Sequence, residues 1–281
     1  MTIDFQEHRS HLRGVAYRML GSLSEADDAV QEAWLRLDRA DPGDHPNPRG
    51  WLTTVVARIC LDILRTRTSR REDPLDPDTD RPGTADAEQE LMLADSVGRA
   101  LLVVLDKLEP AERLAFVLHD MFDMPFDEVA TIVSRSPAAA RQLASRARRR
   151  VQGSRPPDTD LASQRHVVET FISVLRRGDL QGLIAILAPD VVLGADVTGE
   201  VRETRGRDVV APTWTAGAAA FARFADLFTL ALIDGSVGLV LAPKGRLVRA
   251  LRFTFEGSLI ARADIITDRA RLDALDIAAV D

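Results

Sequence analysis

Arginine is concentrated in one segment of a chain that is acidic as a whole. Between Arg135 and Arg155 the sequence has seven arginines and no aspartate or glutamate, whereas the 281-residue chain carries a formal net charge of −7. Guanidinium groups pair with guanine edges and with phosphate oxygens. Because the overall charge is negative, any contact with nucleic acid must come from a local cationic surface such as this one.

The apolar residues of this segment have helical spacing. Ser136 can cap the first turn, and Pro137 can occupy the first helical position. A narrow apolar stripe follows at i, i+3, i+4, i+7 and i+11, formed by Ala140, Leu143, Ala144, Ala147 and Val151. The opposite side of the predicted helix carries Arg141, Gln142, Ser145 and Arg149, with Arg146 and Arg148 beside them.

A second, shorter helix is predicted immediately upstream, in "PFDEVATIVSRSP". Two short helices joined by about 3–4 residues, the second one basic, are typical of the helix-turn-helix motif. The second helix of that motif enters the major groove, where one bidentate arginine–guanine pair discriminates by about 1–3 kcal/mol. The alternative interpretation is a solvated, arginine-rich face on a helical bundle.

Two further helices are predicted near the N-terminus. In "SEADDAVQEAWLRL" the residues expected to face inward are Val30, Ala33, Trp34 and Leu37. Its other face displays Asp28, Gln31, Glu32 and Leu35, which would suit a protein interface or a plain solvated surface. The helix in "RGWLTTVVARICLDILRTRTSRRE" is expected to bury Ile59 and to hold Cys60, the single cysteine, as an inert core thiol. It exposes Thr54, Arg58, Asp62 and Arg65 at helical spacing.

Composition divides the chain into three blocks. Residues 1–71 and 96–153 are predicted to be helical, and they are separated by residues 72–95, an acidic linker with nine carboxylates and one arginine. A second linker is expected at 154–160. Residues 161–281 begin with helical patterning and continue with alternating runs such as "LFTLALIDG" and "RLVRALRFTF", which predict two helices followed by a mostly antiparallel sheet. The expected fold class is therefore two all-α domains followed by an α+β domain.

The order of these segments resembles that of the extracytoplasmic-function sigma factors. The resemblance covers roughly residues 5–152 and rests on "DDAVQEAWLRL", then "WLTTVVARICLDILR", an acidic linker, and "LEPAERLAFVLHDMFDMPFDEVATIVSRSPAAARQLASRARRRV". The α+β block further resembles the SnoaL-like, cone-shaped domain of the sigma-J-like group. In this sequence Ile59 stands where many members of the family have an asparagine after the arginine of this helix.

The resemblance implies a transcription initiation factor that binds bacterial RNA polymerase core through its β′ and β subunits and directs it to promoter DNA. It implies −35 contacts by Arg141, Gln142, Ser145, Arg146 and Arg149. It implies −10 contacts and strand opening by Asn47, Arg49, Thr54, Arg58, Asp62 and Arg65. The polymerase contacts that it implies are Asp28, Gln31, Glu32 and Leu35. The SnoaL-like domain would modulate activity, and its contact with the helical domains is one route for doing so.

Catalysis by the α+β block is not expected. Proton-transfer chemistry in such folds uses a carboxylate or histidine base with an oxyanion donor, yet the only tyrosine of the chain is Tyr17 and the only histidine of the block is His166. Most of its carboxylates are expected to be solvated at turns and strand ends. An aromatic set could line a non-catalytic pocket, whose ligand is unknown, or a docking surface, and it could equally form a plain core: Trp214, Phe221, Phe224, Phe253 and Phe255.

The remaining expectations concern location and cofactors. The sequence lacks apolar runs of about 20 residues and a signal-peptide pattern, which indicates a cytoplasmic protein without a membrane partner. No cofactor is expected, and no cysteine or second histidine pair joins His8 and His11 to form a metal site. Two other functions stay open: an autonomous helix-turn-helix regulator with a ligand-sensing tail, and a SnoaL-like enzyme fused to a DNA-binding module.

Overall fold

The chain divides into two compact units in a computed structural model. The structure describes residues 5–39, 47–70, 98–153, 160–197, 200–218, 221 and 225–280. The first unit comprises Met1–Val151 with Lys244–Arg246, and the second comprises Gln152–Pro243 with Leu247–Asp281. The linker predicted at 72–95 and most of the one at 154–160 lie outside the described residues. None of the described helices is long and apolar enough to cross a membrane.

The first unit is helical, as its sequence predicts. Its helices are α1 (Phe5–Leu20), α2 (Leu23–Arg39), α3 (Pro48–Arg70), α4 (Arg99–Asp106), α5 (Pro110–Phe116), α6 (Phe126–Val133) and α7 (Pro137–Gln152). A π-helical turn, Val117–Met121, continues α5. The tight connection between α1 and α2 uses Gly21, whose φ of 78° lies in the region that a side chain disfavours.

Helices from both parts of the first unit pack on one apolar core. Leu12 of α1, Leu52 of α3 and Leu114 of α5 are fully buried in the same cluster. The sequence predicts two helical modules, and in this structure the helices before residue 71 and those after residue 97 share their interior.

A buried arginine lies within this shared interior. The side chain of Arg113, on α5, is 2% exposed, and its Nε donates to the carbonyl oxygen of Arg18, on α1, at 3.1 Å. Its Nη1 lies 3.5 Å from Asp106 Oδ1, while its Nη2 has no hydrogen-bond partner in the described part of the chain. A buried charge with incomplete partners is costly, so Arg113 is a sensitive point of the packing.

Two sequence predictions about buried side chains in this unit have opposite outcomes. The expected core thiol is confirmed, since Cys60 is fully buried and burial raises its pKa to about 12. The inward orientation predicted for Trp34 is wrong, because this residue is 42% exposed. Its ring packs against Phe5 at a centroid distance of 4.9 Å, and this contact covers only part of the large indole.

The second unit has the α+β architecture that the sequence predicts. Its helices are α8 (Leu161–Arg177), α9 (Leu180–Ile186), α10 (Arg207–Ala216) and α11 (Arg269–Ala274). Its strands are β1 (Leu187–Val197), β2 (Glu200–Arg205), β3 (Phe228–Ile233), β4 (Ser236–Leu241), β5 (Arg249–Glu256), β6 (Leu259–Ile266) and β7 (Ile277–Ala278). They form one sheet in the order β2-β1-β6-β5-β4-β3-β7. Only the β1–β6 pair among these strands is parallel, so the prediction of a mostly antiparallel sheet is confirmed.

The aromatic residues of this unit form a core. Phe171 and Phe253 are fully buried and Trp214 is 7% exposed. The ring of Phe171 meets those of Trp214 and Phe253 edge-on, at 4.8 and 5.2 Å. Phe221 and Phe255 are half-buried and pack against the same cluster. Phe224 lies outside the described residues, and of the interpretations left open by the sequence, the packed core fits the other four aromatic residues.

A carboxylate in the sheet departs from the solvated environment expected for most acids of this block. Asp264, in the middle of β6, is 3% exposed and accepts hydrogen bonds from Arg252 and Arg262, both at 2.9 Å. Burial opposes its ionisation, but the two guanidinium groups outweigh this effect and lower the pKa of Asp264. A Cβ at Gly194 would lie 2.4 Å from its Oδ1, so β1 needs glycine beside the buried ion pairs.

Candidate nucleic-acid interface

Helices α6 and α7 form the predicted helix-turn-helix. The turn between them spans residues 134–136, and Ser134 adopts the left-handed conformation with φ of 57°. Ser136 Oγ accepts a hydrogen bond from the backbone N–H of Ala139 at 3.2 Å. The predicted cap and the start of α7 at Pro137 are therefore confirmed.

The predicted polar face of α7 is exposed, and its apolar stripe is buried. Ala140, Ala144 and Ala147 are fully buried against the core. The exposed residues include the whole set for which the family resemblance implies contacts with the −35 element, namely Arg141, Gln142, Ser145, Arg146 and Arg149. Small alanines on the packed side let α7 lie close to its neighbours while the long polar side chains point outwards.

Several arginines of α7 are held in ion pairs within the unit. Arg150 Nη1 lies 2.8 Å from Glu112 Oε2, and Arg146 Nε lies 3.4 Å from Oε1 of the same buried carboxylate. Arg148 is paired with Asp120. Arg141 and Arg149 form no ion pair with any described residue. The sequence could not reveal which arginines of α7 form ion pairs, because Glu112 is 38 positions away from Arg150.

Because Arg150 forms an ion pair and Arg149 forms none with any described residue, substitutions of these two neighbours should differ in their effect on the salt dependence of DNA affinity. Each phosphate neutralised by a protein contributes about 0.9 to the slope of log K against log[salt]. If α7 binds DNA, Arg149→Ala should therefore reduce the slope by about one. Arg150→Ala, the matched control, should leave it nearly unchanged because Glu112 already neutralises that charge. Fluorescence anisotropy of a promoter fragment, titrated with the polymerase-bound protein at several salt concentrations, measures the slope for both variants. Equal reductions of the slope would contradict the distinction between Arg150, which is paired with Glu112, and Arg149.

A second cationic surface runs along α3. Arg58, Asp62 and Arg65 are exposed on one side with the half-buried Thr54, as their spacing predicts, and Asp62 lies 4.0 Å from Arg65. Ile59 is 6% exposed and belongs to the core, so it faces away from this surface.

The two remaining residues of the predicted −10 set have local structural roles. Asn47 Oδ1 caps α3 by accepting a hydrogen bond from the N–H of Gly50 at 2.9 Å. Arg49 Nη2 donates to Nδ1 of His11, on α1, at 2.9 Å. Since a guanidinium only donates, the proton of the imidazole is on Nε2, which donates to Thr53 Oγ1 at 3.0 Å. The Thr53 hydroxyl in turn donates to the carbonyl oxygen of Arg49 at 2.7 Å.

This closed set of hydrogen bonds needs a neutral His11. Burial, followed by the charges of Arg49 and His8, lowers its pKa to about 4. The sequence shows His11 only as half of an incomplete metal pair, because its partners are about 40 positions away.

The lowered pKa of His11 predicts a pH effect on stability. Between about pH 4 and its ordinary pKa of about 6.5, the unfolded chain binds a proton at His11 that the folded chain does not. The free energy of unfolding is therefore unaffected by the titration of His11 above about pH 6.5, and protonation of His11 in the unfolded chain lowers it as the pH falls towards 4. Urea unfolding from pH 4 to 7 should show a rise in unfolding free energy with pH, and His11→Gln should make that rise shallower. An identical rise in both proteins would contradict the assignment.

The third predicted surface lies on α2. Asp28, Gln31 and Leu35 are exposed, and Glu32 Oε1 accepts a hydrogen bond from Arg36 at 2.9 Å. Gln31 also lines a shallow groove between α1 and α2, together with Phe5, Gln6, Arg9, Asp27, Val30 and Trp34. The exposed Trp34 therefore adds an aromatic surface to this mixed acidic and apolar face.

Comparisons with known proteins match both helical segments to known families. Residues 5–70 match the sigma-70 region 2 family and residues 98–151 match the sigma-70 region 4 family. The chain is 40% identical over 215 residues to the probable extracytoplasmic-function (ECF) RNA polymerase sigma factor SigI of Mycobacterium tuberculosis, covering 74% of each chain. It is 41% identical over 221 residues to SigJ of the same organism, covering 74% of this chain and 70% of SigJ. The crystal structure of SigJ matches 95% of this chain and 96% of its own, with 34% identity and a TM-score of 0.50.

Proposed function

The chain belongs to the ECF family of RNA polymerase sigma factors, and from this premise we propose how its surfaces divide the work of initiation. Residues 1–71 act as the domain that binds core polymerase and the −10 element, and residues 96–153 as the domain that binds the −35 element. Residues 161–281 form a SnoaL-like regulatory domain. Polymerase transcribes in the bacterial cytoplasm, which is where this protein would act.

The −35 element is assigned to α7. The observation that carries this assignment is the exposed row Arg141, Gln142, Ser145 and Arg149 on the second helix of a helix-turn-helix. Arginine and glutamine are side chains that read base edges in the major groove, and serine can contact bases or phosphates. Arg146, which shares Glu112 with Arg150, would contribute only after giving up that ion pair.

The −10 element is assigned to α3 and the residues that begin it. Arg58 and Arg65 supply positive charge along the exposed side of the helix, with Thr54 and Asp62 between them. A melted strand needs a cationic path and a place for an unstacked base. Asn47 and Arg49 lie at the N-terminal end of this path, where their hydrogen bonds to the helix and to His11 fix the start of α3.

Polymerase contact is assigned to the exposed face of α2. Asp28, Gln31 and Glu32 give this face acidic and polar character, and the exposed Leu35 adds an apolar anchor. Binding of core polymerase and promoter DNA is the common activity of the family. The specific contact with the β′ and β subunits is part of the proposal.

The SnoaL-like domain is proposed to modulate activity without catalysis. Its aromatic residues fill the interior, its histidine, His166, is exposed on α8, and Tyr17 is buried in α1 of the other unit. Asp264, the most buried carboxylate among the described residues of this domain, is held as an anion between two arginines, which does not suit a group that must exchange protons.

Run-off transcription tests the proposal as a whole. Purified core polymerase with this chain should yield transcripts from specific promoters, and Leu35→Asp, which places charge on the α2 face, should reduce association with core. The Arg36→Ala control, on the same helix, should keep it. The competing function, an autonomous regulator, predicts tight and selective promoter binding in gel shifts without polymerase, and no transcript that depends on the chain.

A further inference from the structure

One arginine of the exposed α7 face lies on an aromatic ring. The guanidinium carbon of Arg141 lies over the ring of Phe126, the first residue of α6, at 5.6 Å from the ring centroid. This distance is within the range of cation–π attraction. Arg149, further along the same face, has no aromatic contact among the described residues.

The ring of Phe126 is itself held by a histidine. His119 stacks on it with a centroid distance of 3.7 Å and an interplanar angle of 28°. The carbonyl oxygen of Met124 accepts a hydrogen bond from His119 Nδ1 at 3.0 Å, and because a carbonyl only accepts, Nδ1 carries the proton. The imidazole is therefore fixed in both position and tautomer.

The backbone around His119 explains how the stack forms. His119 lies in the π-helical turn Val117–Met121, a type of turn often found at functional sites. The chain then reverses through Asp123, whose φ is 55°, and the N–H of Met124 donates to the carbonyl oxygen of Leu118 at 2.9 Å. This reversal brings Phe126 back over His119 and places the ring beside α7.

We propose that Phe126, supported by His119, is a positioning residue for promoter recognition that holds Arg141 in the orientation needed to read a −35 base. The inference rests on the proposed function of α7. Stacking restricts a long, flexible side chain before DNA binds, and it leaves the N–H groups at the edge of the guanidinium free for bidentate pairing. Arg149 lacks such a support, which suits a phosphate contact that carries no sequence information.

The competing explanation is that Phe126 only packs the helix-turn-helix, since its half-buried ring touches the core of the first unit. The two roles differ in what they need from the side chain. Packing needs apolar volume, which leucine or methionine supplies. Positioning needs an aromatic face, which tyrosine supplies.

The test is a double-mutant cycle on promoter selectivity in the polymerase holoenzyme. Run-off transcription from a promoter with randomised −35 positions measures the preference for the favoured base. The proteins compared are the wild type, Phe126→Tyr, Phe126→Leu, Arg141→Ala and the double variant Phe126→Leu/Arg141→Ala. Phe126→Leu should reduce the preference about three- to tenfold, while Phe126→Tyr should keep it within about twofold. Once Arg141 is alanine, Phe126→Leu should change nothing further. Thermal unfolding shows whether each variant is folded, and Phe126→Met replaces Phe126→Leu if the latter is not.

The other possible outcomes separate the positioning role of Phe126 from the base-reading role of Arg141. If Arg141→Ala lowers the preference but Phe126→Leu and Phe126→Met do not, the positioning role is wrong and the base-reading role of α7 stands. If Phe126→Leu acts equally with and without Arg141, Phe126 does not act through Arg141 and the inference is wrong. If Arg141→Ala leaves the preference intact, the base-reading assignment itself is wrong.

Discussion

Arg141→Ala is expected to reduce initiation from promoters with the favoured −35 sequence by about five- to 150-fold, which corresponds to the roughly 1–3 kcal/mol of a bidentate base contact. The loss should be much smaller on promoters that already carry an unfavourable base at the position read by Arg141. The reason is that a base contact contributes only where its base is present, whereas a phosphate contact contributes everywhere.

Run-off transcription on matched promoter pairs measures this difference. Arg177→Ala is a suitable control, because Arg177 is an exposed arginine at the end of α8, 3.9 Å from Asp179. This substitution changes the net charge equally at a position outside α7, and it should leave promoter preference unchanged. A uniform loss for Arg141→Ala across all promoters would instead indicate that Arg141 binds the DNA backbone.

The largest expected effect on stability is at Arg113. Arg113→Ala should lower the free energy of unfolding by about 3–5 kcal/mol, because it opens a cavity in the core and removes the donor to the Arg18 carbonyl. Arg113→Met should cost much less. Methionine fills most of the volume, and the replacement also removes the buried Nη2 that has no hydrogen-bond partner in the described part of the chain.

Urea unfolding followed by circular dichroism measures both variants against the wild type. The exposed pair Arg36–Glu32 provides the control, since Arg36→Ala should change stability by less than about 1 kcal/mol. Equal costs for Arg113→Ala and Arg113→Met would mean that the charge itself, rather than the filled volume, stabilises this interior.

Local patterns in the sequence predicted the elements that carry the proposed DNA surfaces. The start of α7 followed from Ser136 and Pro137, and its two faces followed from the spacing of alanine and arginine. Helix α10 and strand β2 were missed for equally local reasons. Helix α10 contains Pro212, which disfavours a helix interior, and β2 reads EVRETR, in which charged residues outnumber apolar ones.

Contacts between distant residues were beyond the reach of these patterns. Trp34 fits the apolar stripe of α2, but it remains 42% exposed although its ring packs against Phe5. The pairing of Arg146 and Arg150 with Glu112 and the hydrogen bonds around His11 join segments about 35–40 positions apart. Such pairs depend on how helices pack, which periodicity within one helix does not encode.

The proposed function depends most on one property, the ability of this chain to give RNA polymerase a promoter preference. The direct measurement is transcription of a library of genomic fragments by purified core polymerase with and without the full-length chain, together with co-purification of the two. We expect a stable complex and a set of transcripts, made only when the chain is present, whose start sites share −35 and −10 sequences. Failure to bind core polymerase, or the same transcripts from core polymerase alone, would contradict it.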